Sequence, residues 1–134
     1  MRIILDTNLW ISFLISRNYE KLDQLLISGE CELVFSQELY EEFIAVVKRP
    51  KLRRYFAISD VEDLLEIIED YAEYIVVTSE VSLCRDPKDN FLLSLSLDGN
   101  ADYLLTGDND LLVLKKIGKT QIMKIADFLD LKSL

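Results

Sequence analysis

The sequence of 134 residues has no histidine, two cysteines, four glycines and two prolines. Without histidine there is no Ser–His–Asp triad, no Cys–His pair and no imidazole-held metal, so any catalysis falls to carboxylates, hydroxyls, lysines or thiols. Cys31 and Cys84 are too few for a disulfide framework or a thiolate zinc site, and they are expected to be reduced thiols packed as small hydrophobes. The scarcity of Gly and Pro, with no Ser-rich or repeated stretch, leaves no linker or disordered tail and fits a single domain over 1–134. A domain near this size buries roughly 68% of its unfolded surface and needs no covalent staple. No apolar run approaches the ~20 residues of a membrane span. The start, Met1-Arg2-Ile3-Ile4-Leu5-Asp6, meets a charge too early for a secretion signal, so a cytoplasmic protein without a membrane partner is expected. Positive charge is also short: 15 Lys and Arg against 24 Asp and Glu give a net charge of −9. That balance argues against a simple electrostatic nucleic-acid binder.

What is present is a chain of short apolar runs separated by helical patterns. Ile3-Ile4-Leu5, Leu33-Val34-Phe35, Ile75-Val76-Val77, Tyr103-Leu104-Leu105 and 121–124 read as strands. Helices are expected at 9–15, at 22–27 ending at Ser28-Gly29, from the cap Ser36 to about Lys48, after the capping-box spacing Ser59-Asp60-Val61-Glu62, at 91–97 behind a cap at Asp89, and at 125–131. Wholly apolar strands alternating with helices imply an α/β fold, a three-layer α/β/α sandwich with a mostly parallel sheet of about five strands. Sites in such sheets lie beyond the carboxyl ends of the strands.

Acids gather at that edge. Asp6 follows the first strand, Glu42 lies in the helix after the second, Asp86 and Asp89 flank the start of the helix before the fourth, and Asp108 and Asp110 follow the fourth. Glu42, about 300° round the helix from Leu39, borders the apolar stripe, whereas Glu41 points away. Each acid also has a bland role: Asp6 and Asp89 as helix caps, Asp108 and Asp110 as turn residues. Several converging carboxylates would raise one another's pKa values. A divalent cation relieves this, and an all-oxygen donor set without histidine suits Mg²⁺ or Mn²⁺, which act on phosphodiesters by clamping charge and activating water.

Four blocks, in order, resemble the PIN domain family, specifically its prokaryotic members paired as toxins with antitoxins. They are Ile4-Leu5-Asp6-Thr7-Asn8; Ser36 and Glu42 with Lys48-Arg49-Pro50-Lys51; Arg85-Asp86-Pro87-Lys88-Asp89-Asn90; and the stretch from Ala101 to Leu112 that includes Thr106-Gly107-Asp108-Asn109-Asp110. The resemblance implies a metal-dependent single-strand endoribonuclease in which Asp6, Glu42, Asp89 and Asp108 are catalytic and bind Mg²⁺ or Mn²⁺. Asp86, Asp110, Thr7, Asn8, Ser36 and Thr106 match accessory positions, with Asp86 an alternative to Asp89 as third acid. It also implies a small antitoxin partner and a homodimer, with the first helices as a candidate interface.

For the RNA substrate, Lys48, Arg49, Lys51, Arg53 and Arg54 form one basic cluster and Lys115, Lys116, Lys119 and Lys124 another; Trp10, Phe13 and Tyr55 are aromatic candidates for base stacking, although core packing suits Phe13 better. The alternatives are a non-catalytic PIN-like protein-binding module or a receiver-like Mg²⁺-binding signalling domain. A receiver needs paired acids after the first strand and an acceptor Asp after the third, where this chain has Asp6-Thr7-Asn8 and Thr78-Ser79; a dehalogenase-type phosphatase needs Asp-x-Asp. With four acids assigned to a metal site, −9 + 4 leaves −5 for the remainder, which weakens the charge argument against RNA.

Overall fold

The computed structural model describes residues 1–27 and 29–132; Ser28, expected at the end of the second helix, lies outside them. Strand β1 (Arg2–Leu5) runs into α1 (Thr7–Ser16), and α2 (Glu20–Leu26) leads to β2 (Glu32–Phe35). Then come α3 (Gln37–Val47), a 3₁₀ turn at Pro50–Leu52, α4 (Ile58–Tyr71) and β3 (Ala72–Tyr74). An extended strap and a second 3₁₀ turn (Pro87–Asp89) precede α5 (Asn90–Asp98), β4 (Tyr103–Leu105) and α6 (Asn109–Leu112). The hairpin β5 (Lys116–Ile117) and β6 (Thr120–Met123) and helix α7 (Ile125–Lys132) complete the described chain.

The sheet has six strands in the order β3-β2-β1-β4-β6-β5, parallel except for the β5–β6 hairpin. Ile3, Ile4 and Leu5 in β1 are all buried, as are Leu33, Val34 and Phe35 in β2. Successive strand residues face opposite sides, so both faces of the sheet are covered, as the sandwich reading requires. Helix α1 packs on α3 and α4, α5 on β4 and β5, and α6 on β6. Trp10 and Phe13 meet edge to face at 6.0 Å between ring centroids and are buried. They belong to the core and are removed as base-stacking candidates; Tyr55 is exposed, with the Arg54 guanidinium over its ring. Cys31 and Cys84 are buried and form no disulfide with each other, as expected of packed thiols.

Three local expectations change. The third strand is Ala72–Tyr74, three residues before the apolar run at 75–77, because α4 ends directly into pairing with β2 (Leu33 opposite Ala72, Phe35 opposite Tyr74). Helix α4 begins at Ile58 behind Ala57, where the Asp60 carboxylate accepts the Ala57 N–H at 2.9 Å; Ser59 and Glu62 are not the capping pair. The β5 strand adds an antiparallel edge, turned at Gly118 with φ +57°. At Gly99 a side chain has no room: a Cβ would stand 2.7 Å from Val34 Cγ1 and 2.9 Å from the Leu95 carbonyl oxygen.

Side chains of α5 pin the strap after β3, with Ser94 accepting the Val81 N–H at 3.2 Å and Asn90 the Cys84 N–H at 2.8 Å. Asp98, at the end of α5, accepts the N–H groups of Thr78 (2.6 Å) and Ser79 (2.8 Å) and the Ser79 hydroxyl. The Ser79 hydroxyl and these amides hold the Asp98 carboxyl below its usual pKa. A depressed carboxylate contributes stability that is present at neutral pH and lost as pH falls through the folded-state value. Asp98→Ala is expected to accelerate amide exchange at Thr78 and Ser79 at pH 7 and to have little further effect in acid. Unchanged protection at both amides would show that the clamp does not hold the strap.

Candidate metal centre at the sheet switch point

The chain winds from β1 through β2 to β3 on one side and returns to β4 on the other, so strand order reverses between β1 and β4. The crevice beyond the carboxyl ends of two such strands is where open α/β sheets place their sites. Asp6 leaves β1 there, and Thr106 and Asp108 leave β4. A polar cavity of about 220 Å³ at this point is lined by Asp6, Thr7, Asn8, Glu42, Val46, Arg49, Asp86, Asp89, Leu92 and Asp108. All four principal acids expected from the sequence therefore share one cavity. A larger groove of about 550 Å³, lined by Ile44, Val47, Lys48, Arg53, Phe56, Ala57, Ile58 and Val61, contains no acid and lacks this chemistry.

Asp6 both caps and reaches the site. One carboxylate oxygen accepts the Leu9 N–H at 3.0 Å, capping α1, and the other accepts the Thr106 hydroxyl. Thr106, 1% exposed, also accepts the Asp108 N–H at 3.0 Å. One hydroxyl thus joins the ends of β1 and β4. Burial pushes the Asp6 pKa up; the Thr106 hydroxyl and Leu9 N–H oppose that shift, and the Asp108 charge adds to it. Across the cavity, the Thr7 hydroxyl donates to Glu42, fixing the acid that borders the apolar face of α3.

Asp89 stands at the cap position of α5, yet its side chain makes no cap hydrogen bond. Asp86 does the local work, accepting the Lys88 N–H at 3.1 Å. Asp89 is thereby left to the cavity, where partial burial, a hydrogen bond with Asp108 and the charges of Asp108, Asp86 and Glu42 raise its pKa to about 7. Both Asp86 and Asp89 line the cavity, and Asp89 is the one whose proton the other acids hold. Asp108 caps α6 by accepting the Asp110 N–H at 2.9 Å.

Other expected site residues lie to the side. Asp110 is turned to Arg85 (3.2 Å). Ser36 is fully buried and caps α3 through the Leu39 N–H at 3.1 Å. Lys48, Lys51, Arg53 and Arg54 are exposed around the exit of α3, and of the expected basic residues Arg49 reaches the cavity. Lys115, Lys116 and Lys119 lie on or beside the β5–β6 hairpin, where Lys119 pairs with Asp102 at 3.4 Å. The sequence pattern did not single out Val46 and Leu92, which wall the cavity; Val46 lies four residues beyond Glu42 and so on the same helix face.

The donor set is wholly oxygen and includes an acid that keeps its proton near neutrality, a combination that fits a hard divalent cation. As the side chains stand, no group of three or more acidic or thiol residues among the described residues is gathered tightly enough to hold an ion. The four acids line the cavity as an open set whose like charges oppose closer approach.

The family model described as "PIN domain" matches residues 2–110. The uncharacterized protein MJ1680 of Methanocaldococcus jannaschii is 27% identical over 124 residues, covering 89% of this chain and 78% of that protein. Among solved structures, VapBC2 from Rickettsia felis, bound to a DNA fragment from their promoter, aligns with a TM-score of 0.60 at 16% identity, over 91% of this chain and 97% of that one. At that identity the likeness is one of fold.

Proposed function

The chain belongs to the PIN domain family, and from that premise we propose that it is a Mg²⁺- or Mn²⁺-dependent endoribonuclease that cuts single-stranded RNA, acting in the cytoplasm as the toxin of a toxin–antitoxin pair. The observation that carries the reading is the convergence of Asp6, Glu42, Asp89 and Asp108 on one cavity at the switch point of the sheet. These four acids would hold the ion, with Asp86 beside them. A bound divalent cation supplies charge neutralisation at the phosphate and activation of water.

The protein's own groups then act as follows. Thr106 and Thr7 orient Asp6 and Glu42 through their hydroxyls. Leu92 and Val46 exclude water from one wall. Asp89, with its raised pKa, gives up its proton when the site fills. In the reaction a water oxygen bonds to phosphorus as the bond from phosphorus to the 3′ oxygen breaks. One water proton ends on that oxygen and the other goes to solvent, leaving a 5′-phosphate and a 3′-hydroxyl. The exposed cluster Lys48, Lys51, Arg53 and Arg54 offsets the net charge locally and steers the RNA backbone. A small antitoxin and a second copy of the chain are the expected protein partners, the former placing Arg or Lys against the acids. The fold shared with VapBC2 supports the antitoxin as partner.

Mn²⁺ is expected to stabilise the protein. At a hundredfold excess over its dissociation constant, binding adds about 2.7 kcal/mol, a rise of roughly 10 °C in melting temperature for a domain of this size. Because Asp89 holds its proton up to about pH 7, the ion must displace it below that pH, and the shift should be larger at pH 8 than at pH 6. A melting temperature indifferent to Mn²⁺ at both pH values would favour the non-catalytic module.

A further inference from the structure

Arg49 stands apart from the basic cluster to which it belongs in sequence. Lys48 and Arg53 border the apolar groove, whereas Arg49 lines the acidic cavity, and it is the one basic residue that does so among the described residues. The turn out of α3 explains the difference. Glu42 and Val46 share one face of α3 and line the cavity, and the Arg49 N–H bonds to the Val46 carbonyl at 3.1 Å just past the helix end, which keeps Arg49 beside them. Pro50 then confines the Arg49 backbone to its extended conformation (φ −62°, ψ 127°). Arg49 thus lines the cavity from a backbone position that Pro50 restricts.

A second observation gives this placement a purpose. Five acids line the same cavity, yet no ion pair within 4.0 Å joins Arg49 to any of them among the described residues. A cation spent on balancing the carboxylates would be paired with one. The Arg49 guanidinium is left without an ion-pair partner at the edge of a cavity lined by acids, and it is open to solvent. A planar guanidinium matches two phosphoryl oxygens at once, which an ammonium does not.

Resting on the nuclease reading above, we infer that Arg49 is a catalytic residue that grips the non-bridging oxygens of the scissile phosphate and stabilises the charge they gain as the 3′ oxygen departs. Lys48, Lys51, Arg53 and Arg54 act at longer range, on the rest of the strand.

The test compares Arg49→Ala, Arg49→Lys and, as a control for loss of one surface charge, Lys21→Ala, an exposed residue of α2. Two measurements are needed: steady-state cleavage of a single-stranded RNA with Mn²⁺, and the relaxation of inorganic phosphate ³¹P by the Mn²⁺-loaded protein. Arg49→Ala is expected to lower kcat about a hundredfold with a much smaller change in KM. It should weaken phosphate binding at least about tenfold while taking up Mn²⁺ as the parent does. Arg49→Lys should recover little of either, because the charge returns without the fork, and Lys21→Ala should match the parent. An Arg49→Ala variant with parental kcat and a raised, salt-sensitive KM overturns the inference, because Arg49 would then be one more steering charge. A gain in Mn²⁺ affinity with parental phosphate binding overturns it too and makes Arg49 a counter-ion of the acids. If the parent protein takes up no Mn²⁺, the nuclease reading fails and the Arg49 role fails with it. Uptake of Mn²⁺ without phosphate binding sinks the Arg49 role alone.

Discussion

Asp108→Asn is expected to reduce Mn²⁺-dependent RNA cleavage by ~10³-fold or more and to leave the fold intact. The separation of the two effects follows from what the Asp108 side chain does. Its structural duty is to accept the Asp110 N–H at the start of α6, and an amide oxygen performs that duty nearly as well as a carboxylate. Its chemical duty is to face Asp6 and Asp89 across the cavity with a negative charge, which an amide does not carry. Losing that charge also removes the largest repulsion on Asp89, whose pKa should fall below about 7 while burial still holds it above the ordinary carboxylate range. Asp6→Asn should be as inactive, but less neutral to the fold. Its amide oxygen can keep the Leu9 cap, but its NH₂ group then faces the Thr106 oxygen, which already accepts the Asp108 N–H. Gel-based cleavage with far-UV circular dichroism on the same samples checks both variants. Parental activity in Asp108→Asn would remove this acid from the site.

The contrast between these two acids also marks what the sequence could and could not reveal. That Asp6 and Asp108 follow strands at one edge of the sheet was legible, because apolar runs separated by helices specify a parallel sheet and the carboxyl edge of such a sheet is one place; that these two strands are neighbours was not. Which role each acid plays was not, because cap and ligand use the same residue type at the same position. Asp89 looked like the cap of α5, and only the placement of its side chain, unbonded to the helix and raised in pKa by its neighbours, separates it from Asp86. The β3 strand was misplaced because its residues are Ala72, Glu73 and Tyr74, an exposed edge whose pairing is set by the register of β2 and not by its own hydrophobicity. A two-residue β5 carries no periodicity; the Gly-Lys pair at 118–119 was the one local sign of the hairpin. The Asp98 clamp joins residues about twenty positions apart through a helix end and a strap, a pairing that no local pattern encodes. The basic cluster at 48–54 read as uniform, although the turn out of α3 puts Arg49 at one cavity and Lys48 at another.

Thr106→Val should cost about 2–4 kcal/mol, roughly 10 °C in melting temperature, and most of the activity. Valine has nearly the shape of threonine, so packing at this buried position is kept. What disappears is one hydroxyl with two partners: it donates to the Asp6 carboxylate and accepts the Asp108 N–H. Each partner is left without that bond, and the carboxylate suffers more because it is charged and 4% exposed. The consequence has a definite pH signature in the metal-free protein. Burial already holds the Asp6 pKa above its ordinary value, and the Thr106 hydroxyl is the largest influence pulling it back. With valine the folded-state pKa rises further. A carboxyl whose folded pKa exceeds its unfolded one contributes stability that is fully present below the unfolded value and is lost as pH rises through the folded value. The deficit of Thr106→Val relative to the parent should therefore be small near pH 4 and grow toward pH 8, measured by urea unfolding in the presence of chelator. Thr106→Ser restores the hydroxyl and should restore both the alkaline stability and the cleavage rate, at the cost of one methyl group's packing. A deficit that is flat with pH, or one that serine does not repair, would mean that shape and not the hydroxyl link between Asp6 and Asp108 is what this position supplies.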